Sequence, residues 1–202
     1  MISGFILFTC AFNIFGQKTS IDNEKMNQEL PYYQIPEYPK GYNARTVAAR
    51  VLDGLGFRFY WASEGLRPED LQYKPSAEAR SAEETIDHIL GLSKVIVNAI
   101  KKEPNIRPQK SESLTFEQKR ARILNNIKAA SDMLKSADDD DLDQYNMVFQ
   151  NAEGSSEYPF WNLLNGPIAD AIWHTGQVVS FRRASGNPFN SKVSVFNGKL
   201  RD

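Results

Sequence analysis

Between Ile168 and Gly186 the chain reads IADAIWHTGQVVSFRRASG, and this stretch limits what the protein can fold into more than any other. At about 100° per residue, Leu163, Asp170, His174, Gln177 and Phe181 fall within about 40° of one another on one side of a helix. That side is mixed rather than simply apolar. Asp170 and His174 stand at i and i+4, close enough for both to reach one metal ion or for the carboxylate to hydrogen-bond the imidazole. Gly186 followed by Asn187-Pro188 ends the helix, because glycine accepts the left-handed conformation and proline cannot continue the ladder. Arg182 and Arg183 occupy the last turn, where the helix dipole favours cations.

Three further helices are legible upstream. From Asn43 to about Glu64, Val47, Val51, Leu55, Phe59 and Ala62 recur at three and four residues and mark an amphipathic helix. Gly54 and Gly56 inside it point to a close contact or an irregular turn. Pro68-Glu69-Asp70-Leu71 suits one helical turn with proline at its first position. Ser81-Ala82-Glu83-Glu84 is a capping box opening a helix to about Lys102, with His88, Leu92, Val95 and Ala99 on one side, so His88 is expected to face the core. Thr115-Phe116-Glu117-Gln118 is a second capping box, followed by Ile123, Ile127, Ala130 and Leu134 to about Ala137. The polar stretches Glu103–Ser113 and Asp143–Tyr158 read as connections, the latter with a short extended piece at Tyr145–Phe149. Pro159–Asn165 begins the last helix, which Gly166-Pro167 kinks or restarts. Trp61, Trp161 and Trp173 read as core or pocket wall.

A chain of 202 residues, 41% hydrophobic, suffices for one well-buried domain and is short for two. The fold class is therefore all-α: an up-down four-helix bundle over 43–188, an irregular lead-in at 18–42 and a tail at 189–202. A net charge of −1 gives no clustered positive field for nucleic acid. The acidic run Asp138–Asp141 lacks the glycine and spacing of a calcium loop and reads as a solvated turn. Cys10, alone, excludes an intramolecular disulfide. The apolar run Gly4–Phe15 is too short to span a bilayer and matches the core of a signal peptide covering 1–17, so export to the periplasm or outside is expected. Lipid anchoring through Cys10 is disfavoured by the bulky Leu7-Phe8-Thr9 before it.

In such a bundle His88, Asp170 and His174 could converge. Two imidazoles and a carboxylate suit a divalent first-row metal with open positions, tetrahedral zinc or a facial-triad iron, able to acidify a water to a pKa of about 7. The competing reading is a satisfied core in which the Asp170–His174 pair is a buried hydrogen bond. Glu84 competes as a ligand, although its capping role accounts for it. Gln177 is the candidate catalytic residue, able to orient a substrate or the metal's water.

The pattern Leu66, Leu71 and Pro75, then Ser81 and Ile86-Asp87-His88-Ile89, together with His174-Thr175-Gly176-Gln177, Arg182-Arg183 and Gly186-Asn187-Pro188, resembles the DinB-like family of four-helix bundle proteins. The likeness runs from about Asn43 to Pro188. It implies a divalent-metal centre with one histidine on the second helix and two, four residues apart, on the fourth. His88 and His174 match; Asp170 stands where the family has a histidine. Zinc, nickel or iron accepts that exchange, and the added negative charge stabilises the cation. The resemblance further implies a metal-dependent hydrolase or transferase acting on a small molecule. Thiol transfer, known among relatives, fits an exported chain poorly. The alternative is a non-catalytic metal-binding or structural bundle whose polar trio fixes helix register. The expected partner is a small-molecule substrate, with a homodimer as an allowed assembly and no integral membrane span.

Overall fold

A computed structural model of the protein describes residues 30–108, 112–138 and 141–202. The expected signal peptide, Cys10, the first part of the lead-in and the centre of the acidic run lie outside the described residues. Among those described, four long helices carry the fold: α1 (Ala44–Ser63), α3 (Ala82–Lys101), α4 (Phe116–Ser136) and α6 (Ala169–Ala184). A short α2 (Pro68–Gln72) precedes α3, and α5 (Phe160–Leu163) leads through a π-helical turn at Leu164–Ile168 into α6. The chain is mostly helical, as its periodicity predicts. α1 packs against α4 and α6, and α3 packs against the same two. Leu52, Leu55, Phe59, Ile86, Ile89, Ile96, Ile123, Ile127, Leu134 and Leu163 are fully buried between them.

The helix starts are where the capping residues place them. Asn43 Oδ1 accepts from Thr46 N at 2.8 Å and Thr46 Oγ1 accepts from Asn43 N at 2.9 Å. Ser81 with Glu84 opens α3 in the same way, and Thr115 with Gln118 opens α4. Each pair satisfies two backbone donors that a helix start leaves open.

Three features differ from the sequence reading. First, Val47 and Val51 are 50% and 39% exposed, while Ala48, Ala49 and Leu52 are buried. The expected stripe holds at Leu55, Phe59 and Ala62, all buried, while in the first half of the helix Ala48, Ala49 and Leu52 take the buried side in place of the two valines. Second, both expected connections contain paired strands, beyond the one extended piece expected at Tyr145–Phe149. β1 (Asn105–Ile106) pairs in parallel with β2 (Met147–Asn151), which forms an antiparallel hairpin with β3 (Gly154–Tyr158). The tail likewise folds into a small hairpin of β4 (Val193–Ser194) and β5 (Lys199–Leu200). Such two- to five-residue strands are too short to show a period in sequence, and their pairing is non-local. Third, Trp161 and Trp173 are 74% and 72% exposed, not core. On α6 the buried residues are Ala171, Thr175, Val178 and Arg182, and Trp173 projects away from that row.

The lead-in lies along α1. Tyr32, 3% exposed, donates its hydroxyl to Asp53, which also accepts from Ser131 Oγ and Lys135 Nζ of α4 at 2.6 Å each. Gly56 makes room for this: a Cβ there would stand 2.4 Å from the Tyr32 ring. At the opposite end, Arg182 is buried and donates from Nη1 to the carbonyls of Trp61, Ala62 and Glu64 at 2.8–3.1 Å. Trp61 and Ala62 belong to the last turn of α1 and Glu64 directly follows it, where helix carbonyls have no partner within the helix. Arg182 therefore caps the end of α1 as well as standing in the last turn of its own helix.

Beside it, the buried Asp70 accepts from Arg67, Ser185 Oγ and Asn187 Nδ2. The Arg67 guanidinium, aided by Ser185 and Asn187, holds this carboxyl far below the usual carboxylate range despite its burial. A depressed folded-state value means the latch contributes fully above the unfolded carboxyl's pKa of about 4 and loses its contribution as the pH falls below that. Asp70→Asn is expected to flatten this acid limb and to lower stability at neutral pH by about 2–3 kcal/mol, read by urea denaturation at stepped pH. An unchanged acid limb would refute the latch. Gly56→Ala is expected to cost about 1–3 kcal/mol, since the new methyl overlaps the Tyr32 ring; Gly56→Ala combined with Tyr32→Ala should cost less than the sum of the single changes.

Candidate metal centre

α3 and α6 lie side by side, and their facing rows bring the three expected ligands together. Pro167 supplies no N–H to the ladder, so the chain widens into the π turn at Leu164–Ile168 before α6 resumes at Ala169. Asp170, His174, Gln177 and Phe181 follow on the resumed helix. His88 meets them from the second turn of α3.

The carboxylate is shared between the two rings. His88 Nε2 is 3.0 Å from Asp170 Oδ2, and His174 Nε2 is 3.2 Å from Asp170 Oδ1. The imidazole centroids are 4.6 Å apart at 89°, and one ligand atom from each residue lies within 4.8 Å of the other two. Donor atoms about 2.0–2.1 Å from a tetrahedral zinc stand roughly 3.3 Å from one another. The two short nitrogen–oxygen contacts go to different oxygens of the one carboxylate, and with a single ligand atom from each residue the set lies within 4.8 Å. The side chains of His88 and Asp170 are 34% and 40% exposed, and that of His174 is 14%. His88 thus lies at the rim of the helix interface and not in the core as its row suggested; the buried row of α3 is Ile86, Ile89, Ser93 and Ile96.

Gln177 completes the arrangement. Its Oε1 lies 2.7 Å from His174 Nδ1, a contact that suits the tautomer with Nδ1 as donor to the amide oxygen. In a neutral ring Nε2 then presents a lone pair to the Asp170 carboxylate. Two such acceptors facing each other are a donor set for a cation. The residues could therefore hold a first-row divalent ion by the chemistry of their donors. Gln177, the candidate catalytic residue, is engaged through its oxygen with a ligand's far side, which leaves its amide NH2 free to meet a bound molecule.

Glu84 has no place in this cluster. Its carboxylate accepts from Ser81 N at 2.7 Å and faces Lys74 Nζ at 3.2 Å. The Ser81 backbone N–H, then Lys74, hold it below the ordinary range. Arg183 stacks over Phe189, 5.4 Å from the ring centre. The sequence reading missed Tyr73, whose ring lies 5.8 Å from Phe181, one turn beyond Gln177. Tyr73 sits in the loop before α3, where no periodicity marks it. Its only signal was its closeness to the Ser81 capping box. No family model, curated protein or solved structure matches the chain.

Gln177→Leu keeps the volume and removes the acceptor. It is expected to weaken zinc or nickel binding about 10- to 100-fold while leaving the circular dichroism spectrum unchanged. Affinity equal to wild type in isothermal titration would remove Gln177 from the site.

Proposed function

We propose that this chain is a DinB-like protein, an up-down four-helix bundle whose His88, Asp170 and His174 hold a divalent zinc, nickel or iron ion, and that it acts as a metal-dependent hydrolase or transferase on a small molecule. One observation carries the reading: three ligand atoms from two helices lie within 4.8 Å of one another, with the outer nitrogen of one ring fixed by a glutamine. The cyclic packing of the four long helices and the matching motif residues support the family assignment. The apolar run Gly4–Phe15 supports export.

A cation held there would supply Lewis acidity and bring the pKa of a water near 7. Asp170 places one oxygen toward each ring and adds a negative charge that a three-histidine set lacks, which favours a dication. Gln177 positions His174 and offers its NH2 to a substrate oxygen. The Tyr73–Phe181 ring pair forms an apolar wall one turn along α6, suited to the non-reacting part of a small substrate.

The direct His88–Asp170 contact favours a second reading, because it joins α3 to α6 without any ion. In that reading the trio fixes helix register and performs no chemistry. Metal analysis of the protein purified without chelator separates the two. The first predicts about one divalent ion per chain, lost in both Asp170→Ala and His174→Ala, with chelation lowering the melting temperature by about 5–10 °C. Metal-free wild-type protein whose melting is indifferent to chelator and added zinc, nickel or iron overturns it and leaves the register role.

A further inference from the structure

The second place where the fold gathers unspent polar chemistry is the cleft between the β2–β3 hairpin and the α5–π segment. It is an open cleft of about 750 Å³, lined by none of the three candidate metal ligands. Its volume falls in the range of small-molecule sites. The floor is aromatic: the Phe149 and Tyr158 rings meet edge to face at 6.1 Å and 73°, and Tyr158 remains 43% exposed, so its ring is open to a ligand. The opposite wall carries Asn162 and Asn165, and among the described residues neither side-chain amide is bonded to protein. Each amide offers donors and an acceptor.

The charges narrow the ligand class. Arg107 lies over Phe149, 4.8 Å from the ring centre, which orients its guanidinium plane. Glu153 lines the same cleft, and neither it nor Arg107 has an ion-pair partner among the described residues. One positive and one negative group leave no net field to select an anion or a cation. An open aromatic face, uncommitted amides that both donate and accept, and balanced charge together suit a ring with one apolar C–H face and a rim of hydroxyls.

We propose that this cleft binds a neutral saccharide of one or two units, with Tyr158 as its stacking platform and Asn162 and Asn165 bonding its hydroxyls. The site is separate from the trio and stands whether or not the trio holds a metal.

Saturation-transfer NMR with cellobiose, maltose and N,N′-diacetylchitobiose, and with glucuronate as the charged control, tests this. At least one of the three neutral disaccharides is expected to bind. Tyr158→Ala should weaken that binding about tenfold and Tyr158→Phe should leave it within about twofold, since the ring and not the hydroxyl does the stacking. The exposed double variant Asn162→Ala/Asn165→Ala, which threatens no buried packing, should also weaken it severalfold. Chelator-treated protein should bind equally well, which keeps this result independent of the metal centre. Absence of binding by all three sugars, binding of glucuronate alone, or equal binding by Tyr158→Ala and the asparagine double variant would overturn the proposal.

Discussion

A buried guanidinium is an expensive thing to desolvate, and Arg182 is tolerated at 3% exposure because the last turn of α1 offers it carbonyls that nothing else can satisfy. Burial pulls its pKa down while Asp70 and Glu64 push back, but its charge is secure. The contact reaches from near the end of α6 to the end of α1. Its Nε also donates to the Asn187 carbonyl, so the glycine-asparagine-proline stop of α6 is held by the same side chain. Gly186 at φ +83° turns the chain there. Asn187 then reaches Asp70 and Gly65, tying down the loop before α3. The ends of α1 and α6 and the loop entering α3 are therefore joined by one polar network.

That network matters for the trio because helix rotation is unforgiving. A change of one residue in phase turns a side chain by about 100°. With the end of α6 pinned by Arg182 and its start adjusted by the π turn around Pro167, the face carrying Asp170, His174 and Gln177 has little freedom to rotate away from His88. Fixed positions would suit the proposed role of these side chains as ligands to one cation.

Two polar clusters that join helices of the bundle are built differently. Asp53 is fully buried and accepts from a tyrosine, a serine and a lysine, so its charge is compensated on several sides and the lead-in is fastened to α1 and α4 together. The carboxylate of Asp170 is left partly open to water and faces only two rings. A buried, fully bonded carboxylate has a structural task. One that is half-exposed and shared between two imidazoles retains capacity for a ligand, and this contrast separates Asp170 from the other acids of the helical core.

Much of this was written locally in the chain. The asparagine, serine and threonine caps, the α2 turn at Pro68 and the glycine stop after α6 are set by groups within a few residues of one another, so sequence alone located those ends. The spacing of Asp170, His174 and Gln177 likewise put them on one side of one helix. Only the tertiary structure brought His88 to within 3.0 Å of Asp170, chose alanines over valines for the buried stripe of α1, turned Trp161 and Trp173 outward, and paired strands across more than forty residues. Those outcomes depend on which faces meet, and helix packing decides that by shape and by distant hydrogen-bond partners. Local periodicity carries neither.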